Sequence, residues 1–101
     1  MIVFVRIWQY DVDPEREAEF ERVYSADGDW ARLFGRSGGY RGTELFRQVG
    51  QPLRYLTVDR FESTTAWHKF QSEHGSDYAA LDRATEGLTL AERELSATEL
   101  A

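Results

Sequence analysis

Two stretches of this chain are apolar on both faces at once. Residues 2–10, IVFVRIWQY, are dominated by β-branched and aromatic side chains, which selects a strand over a helix. Strand side chains alternate between faces, so Val3, Val5 and Ile7 point one way while Phe4, Trp8 and Tyr10 point the other. Residues 53–61, LRYLTVDRF, repeat the doubling, with Leu56 and Val58 set against Tyr55 and Phe61. A sheet built on such strands needs cover on both sides.

The rest of the chain supplies cover for one side. Asp13-Pro14-Glu15 is a helix start, with a capping carboxylate, a proline preset for the first helical position and an acid near the positive dipole end. Phe20, Val23 and Tyr24 follow at helical spacing. Residues 25–29 break that helix, and Asp29 caps a second short segment carrying Trp30, Leu33 and Phe34. Gly35 and Gly38-Gly39 lead into a strand over residues 40–49. Gly50-Gln51-Pro52 is a hairpin turn, because Pro52 has no place inside a central strand. Ser63 then caps a helix with Ala66, Trp67, Phe70, His74, Tyr78 and Leu81 along one face and Gly75 as a point for a kink. Gly87 precedes a last strand near residues 88–95, beyond which the tail is expected to fray.

The order β-α-β-β-α-β describes an α+β, ferredoxin-like sandwich with an antiparallel four-stranded sheet, a single domain over residues 1–101. Its two helices cover one face. The other would expose more apolar surface than the few hundred Å² a soluble monomer tolerates. The expected cover is a second copy on a two-fold axis, giving a homodimer that buries at least ~2,000 Å² and closes a barrel of two sheets.

Composition removes several function classes. The net charge of -6, with arginines scattered, disfavours nucleic acid and anionic membranes as partners. There are no cysteines, which excludes disulfides, thiolate catalysis and Cys-based metal sites. No run approaches the ~18 apolar residues of a membrane-spanning helix. The first residues lack a basic, then apolar, then small-residue pattern, so a cytoplasmic location is expected.

The G-Y-R-G-T-E-L strand at residues 39–45, R-Y-L-T-V-D-R-F at 54–61 and S-T-T-A-W at 63–67, in this element order, resemble the antibiotic biosynthesis monooxygenase family of the dimeric α+β barrel group. The resemblance implies sheet order 4-1-3-2. It also implies one of several activities, since members include cofactor-independent oxygenases of polyketide phenols, haem-degrading enzymes and proteins of no demonstrated activity. The haem-degrading branch is known for an asparagine on the first strand and a tryptophan and haem-ligating histidine on the second helix. This chain has no asparagine, and Ile7, Phe70 and Ala80 stand at the matching positions, so haem cleavage is not expected.

What remains is a monooxygenase using no cofactor on a small phenol- or quinone-type compound. The alternatives are a non-catalytic dimeric binding or scaffold protein, or an isomerase or cyclase. His74, on the helix face toward the sheet, either takes a proton from a phenol or bonds a backbone carbonyl at the Gly75 kink. Tyr78 can add a hydrogen bond to a substrate oxygen. Trp67, Phe70, Tyr24 and Trp30 are either walls for a planar ligand or plain core, and Ile7 is expected to border the same pocket. Arg6 is expected to pair with Glu44, Asp59 or Glu92. His68 and His74 are wrongly spaced for a helical metal pair, and Glu73 with Asp77 lacks a convergent histidine, so no metal is expected. Residues 35–42, GRSGGYRG, run into a strand without a Gly-Lys-Ser/Thr ending and form no phosphate cradle.

Overall fold

The computed structural model describes residues 3–101. Strand β1 spans Phe4–Val12 and a single 3-10 turn spans Pro14–Arg16. Helices α1 (Glu17–Tyr24) and α2 (Asp29–Phe34) lead to β2 (Tyr40–Arg47) and β3 (Arg54–Phe61). The long helix α3 (Thr64–Thr85) precedes β4 (Thr89–Glu99). The strands form one antiparallel sheet in the order β2-β3-β1-β4, the ferredoxin-like arrangement that the sequence implies.

The local signals act as expected at two helix starts but not at α2, where Gly28 is the cap residue, no side chain caps the helix, and Asp29 is already its first residue. Asp13 accepts a hydrogen bond from the Glu15 amide at 2.9 Å, and Ser63 accepts one from the Ala66 amide at 3.0 Å. Helix α3 kinks at His74, whose backbone (φ -126°, ψ 20°) is not helical, one residue before Gly75. The strand ends need correction. β1 continues past Tyr10 because Val12 prolongs the buried alternation, while Ile2 lies outside the described residues. β4 does not stop near Leu95; it pairs with β1 as far as Phe4↔Glu99, so the expected frayed tail is strand for four further residues. β2 stops at Arg47, short of Val49.

Register decides which residues meet. Phe4 faces Phe61, Arg6 faces Asp59, Trp8 faces Thr57 and Tyr10 faces Tyr55, all on the side the helices cover. Phe20, Phe61 and Phe70 are there 0% exposed. Phe34 of α2 meets Phe70 edge-on at 5.2 Å and Phe61 at 5.7 Å, a geometry that suits ring quadrupoles. The loop before β2 is pressed against α3, since a Cβ on Gly39 would lie 2.5 Å from that of Ala66.

The other face carries Ile7 beside Val58, and Leu56 beside Phe46, with Phe46 46% exposed. The ion pairs Arg54–Asp11 and Arg60–Glu44 flank this apolar strip. No helix among the described residues is long and apolar enough to cross a membrane.

Truncating a ring at the centre leaves a cavity as well as losing burial. Phe70→Ala is expected to cost about 3–5 kcal/mol in urea denaturation. Val49→Ala, at a position 97% exposed, is expected to stay within about 0.5 kcal/mol of the parent.

Candidate functional site

Between the helices and the sheet lies a cavity of about 40 Å³. Its floor is Arg6, Trp8 and Tyr10 of β1 with Thr57 and Asp59 of β3, and Thr43 of β2 at one side. Tyr24, Trp30, Phe34 and Tyr78 roof it, and the exposed Asp82 and Glu92 edge its mouth. At roughly 10–15 Å³ per water it holds a few waters, far below the roughly 300–1,000 Å³ of an open ligand pocket. The aromatic side chains therefore stand nearly closed over their polar floor.

That floor holds two opposite charges. Arg6 is 8% exposed and Asp59 is 6% exposed, and they are directly opposed on neighbouring strands. Among the described residues they form no ion pair with each other. Arg6 Nε instead donates to Glu94 Oε2 at 2.9 Å, on β4. Its guanidinium carbon lies 4.2 Å from the ring centre of Trp67 and 5.4 Å from that of Trp8, so the cation rests on aromatic faces. Asp59 Oδ1 accepts from Thr43 Oγ1 at 2.6 Å, on β2. The two charges are drawn apart toward opposite edges of the sheet, and the cavity opens between them.

Burial pushes the Asp59 carboxyl up to about 6, against the Thr43 hydrogen bond and the Arg6 charge, which both favour the ionised form. A carboxylate in this range exchanges a proton near neutral pH. Burial works against the Arg6 cation, but Tyr78 and Glu94 outweigh it and hold the guanidinium charged. Tyr10, pushed well up by burial, stays protonated and shares a 2.8 Å hydrogen bond with Thr57 Oγ1. The Trp30 indole N–H lies near enough to the Tyr24 hydroxyl to favour its ionised form, yet it makes no hydrogen bond of good geometry and is buried without a partner among the described residues. A buried donor in that state is an opening for an acceptor atom.

Of the residues singled out from sequence, Tyr24, Trp30 and Tyr78 line the cavity. Trp67 and Phe70 stand behind it in the core, with Trp67 also forming the shelf under Arg6. His74 is half-buried, packs its ring on Phe70 at 5.4 Å and is not among the cavity walls, because the kink falls at its own backbone. Ile7 points to the opposite face of the sheet. Arg6 pairs with Glu94, not with Glu44, Asp59 or Glu92 as its neighbours in sequence pattern suggest. Asp59 enters only as a partner in the sequence reading. Its signal is parity: it alternates with Tyr55, Thr57 and Phe61, a charged residue on the buried side of a strand.

The family model for antibiotic biosynthesis monooxygenases matches residues 3–80. A protein of Bordetella bronchiseptica described as a candidate antibiotic biosynthesis monooxygenase is 21% identical, with a TM-score of 0.71 over 100% of this chain and 97% of its own. SnoaB, a cofactor-independent oxygenase from Streptomyces nogalater, is 17% identical, with a TM-score of 0.62 over 99% of this chain and 90% of its own. These likenesses establish a shared fold. No curated protein matches the sequence.

Asp59 sets a pH dependence whose sign follows from its raised value. The native state holds this proton more tightly than the unfolded chain does. Stability is therefore lost as pH rises from the ordinary carboxylate range near 4 through about 6. Asp59→Asn is expected to remove that fall, gaining up to about 3 kcal/mol on the parent between pH 4 and pH 8 in paired urea titrations.

Proposed function

We propose that this chain, which belongs to the antibiotic biosynthesis monooxygenase family, is a monooxygenase that oxidises a small phenol- or quinone-type compound without a bound cofactor. The observation that carries the reading is a buried carboxylate, Asp59, lining a cavity walled by Tyr24, Trp30, Phe34 and Tyr78, where burial raises its affinity for protons and Trp30 keeps an unpartnered indole donor. In this reading Asp59 takes a proton from the substrate, and Arg6 with the Trp30 N–H steadies the anion. Tyr78 holds a substrate oxygen, and Tyr24 and Trp30 flank the ring. The electron-rich anion passes one electron to dioxygen, the two radicals combine as a peroxide, and water is lost. One oxygen atom of O₂ then ends in the product and the other in water, with the substrate carbon as the reductant. SnoaB supports this as an oxygenase of the same fold described as cofactor-independent.

Entry of such a substrate requires the cavity walls to move apart, because the free volume is only about 40 Å³. The small free volume also favours a second reading, in which a dimeric scaffold fills its cleft with its own rings. A thermal-shift screen of phenols and quinones separates the two, because a ligand raises Tm by mass action. The oxygenase reading expects a shift and, with the hit, oxygen uptake; no shift from any compound selects the scaffold, and product formation without oxygen uptake selects an isomerase or cyclase. Within a detected turnover, Asp59→Asn is expected to lower kcat by about 10²–10⁴-fold, and His74→Ala to leave it within a few-fold. The reverse pattern assigns the base to His74.

The same reading includes a homodimer, with the strip of Ile7, Leu56, Val58 and Phe46 covered by its copy in a partner. Leu56→Arg is expected to give a monomer by analytical ultracentrifugation; a parent protein that is itself monomeric at micromolar concentration contradicts the barrel.

A further inference from the structure

Strand β2 contains one irregularity, and it lies beside Asp59. Tyr40 pairs with Phe61, but Gly42 pairs with Arg60, so Arg41 is an extra residue and β2 is bulged there. Gly42 has φ +119°, a conformation that a residue with a Cβ rarely adopts. In a regular strand, residues three apart point to opposite faces. The bulge cancels that alternation. Tyr40 and Thr43 therefore both face the helices, and the Tyr40 hydroxyl reaches Thr43 Oγ1 at 2.6 Å.

Thr43 Oγ1 thus stands 2.6 Å from Tyr40 and 2.6 Å from Asp59. The threonine has one proton to give. An ionised Asp59 can only accept, so Thr43 donates to Asp59 and Tyr40 donates to Thr43. Burial, with a smaller contribution from the Asp59 charge, keeps the Tyr40 hydroxyl protonated against the pull of Thr43, so it remains a donor. Thr43 engages Asp59 through Oδ1, which leaves Oδ2 for the cavity that Asp59 lines. We propose that the Arg41–Gly42 bulge serves to line up Tyr40 and Thr43 behind Asp59, making both of them positioning residues that hold the carboxylate with one oxygen turned to the cavity.

This inference rests on Asp59 as the proton-exchanging group of the proposed function, and it assigns two residues that act through that carboxylate. Other charged and titratable groups face Asp59 from each element around it. These are Arg6 and Tyr10 on β1, Tyr24 on α1, and Tyr78 on α3 with Asp82 at the mouth. Glu92 of β4 completes the rim. None of them donates to Asp59 among the described residues, so the hydrogen bond from Thr43 is the contact that a substitution can remove selectively.

The test reads the Asp59 carboxyl itself, by ¹³C NMR titration of the full-length protein without substrate, with the resonance assigned by its loss in Asp59→Asn. Thr43→Val is expected to raise the titration midpoint by about one unit or more, the scale of a hydrogen bond to a charged group. Tyr40→Phe is expected to raise it by less, Thr43→Ser to leave it at the parent value, and Gly42→Ala to raise it by disturbing the bulge. Midpoints unchanged in both Thr43→Val and Tyr40→Phe, with near-UV circular dichroism preserved, would overturn the inference. Should Thr43→Val not fold, the half-exposed Tyr40 decides the matter alone. Because no substrate is involved, failure of the oxygenase reading leaves this result standing, and the converse also holds.

Discussion

Two opposite charges sit across from one another on the buried side of this sheet and do not touch. Taking a carboxylate and a guanidinium out of water is costly, and direct pairing is the usual compensation. Here each is compensated separately. Arg6 has Glu94, the Tyr78 hydroxyl and the faces of Trp67 and Trp8. Asp59 has one hydrogen bond from Thr43, too little to offset its burial, and its raised proton affinity is the remainder. Both charges line the cavity, together with the large rings of Tyr24, Trp30, Phe34 and Tyr78. Polar floor, aromatic roof and near-neutral acid are consequences of one arrangement.

The two faces of the sheet divide their tasks by parity. One set of alternate positions on β1 and β3 carries the aromatic core and the charged floor. The other set carries the apolar strip and the ion pairs that border it. A one-residue slip in register would exchange the two sets, so the site and the strip stand or fall together. The chain belongs to the antibiotic biosynthesis monooxygenase family, and its 101 residues place the site on one face of the sheet and the strip on the other.

Element order, helix caps and the doubled apolar pattern of the central strands were legible because each has a local cause in neighbouring residues. Other features depend on partners distant in sequence. The length of β4 was hidden, since TLAERELSATE has charges throughout and its pairing comes from backbone hydrogen bonds to β1. His74 falls on the right face of an ideal helix, but the kink is centred on it. Asp59 could have been flagged from parity alone. The bulge at Gly42 could not, because only the pairing of Tyr40 and Gly42 with consecutive residues of β3 reveals it.

The central claim is that the space between Arg6 and Asp59 is kept for a ligand. A high-resolution crystal structure soaked with a simple phenol tests it most directly. The account predicts the phenol ring under Tyr24 and Trp30, with its oxygen between the Arg6 guanidinium and the free oxygen of Asp59. Arg6 and Asp59 closed into a direct ion pair, with the phenol bound elsewhere or absent, would contradict it.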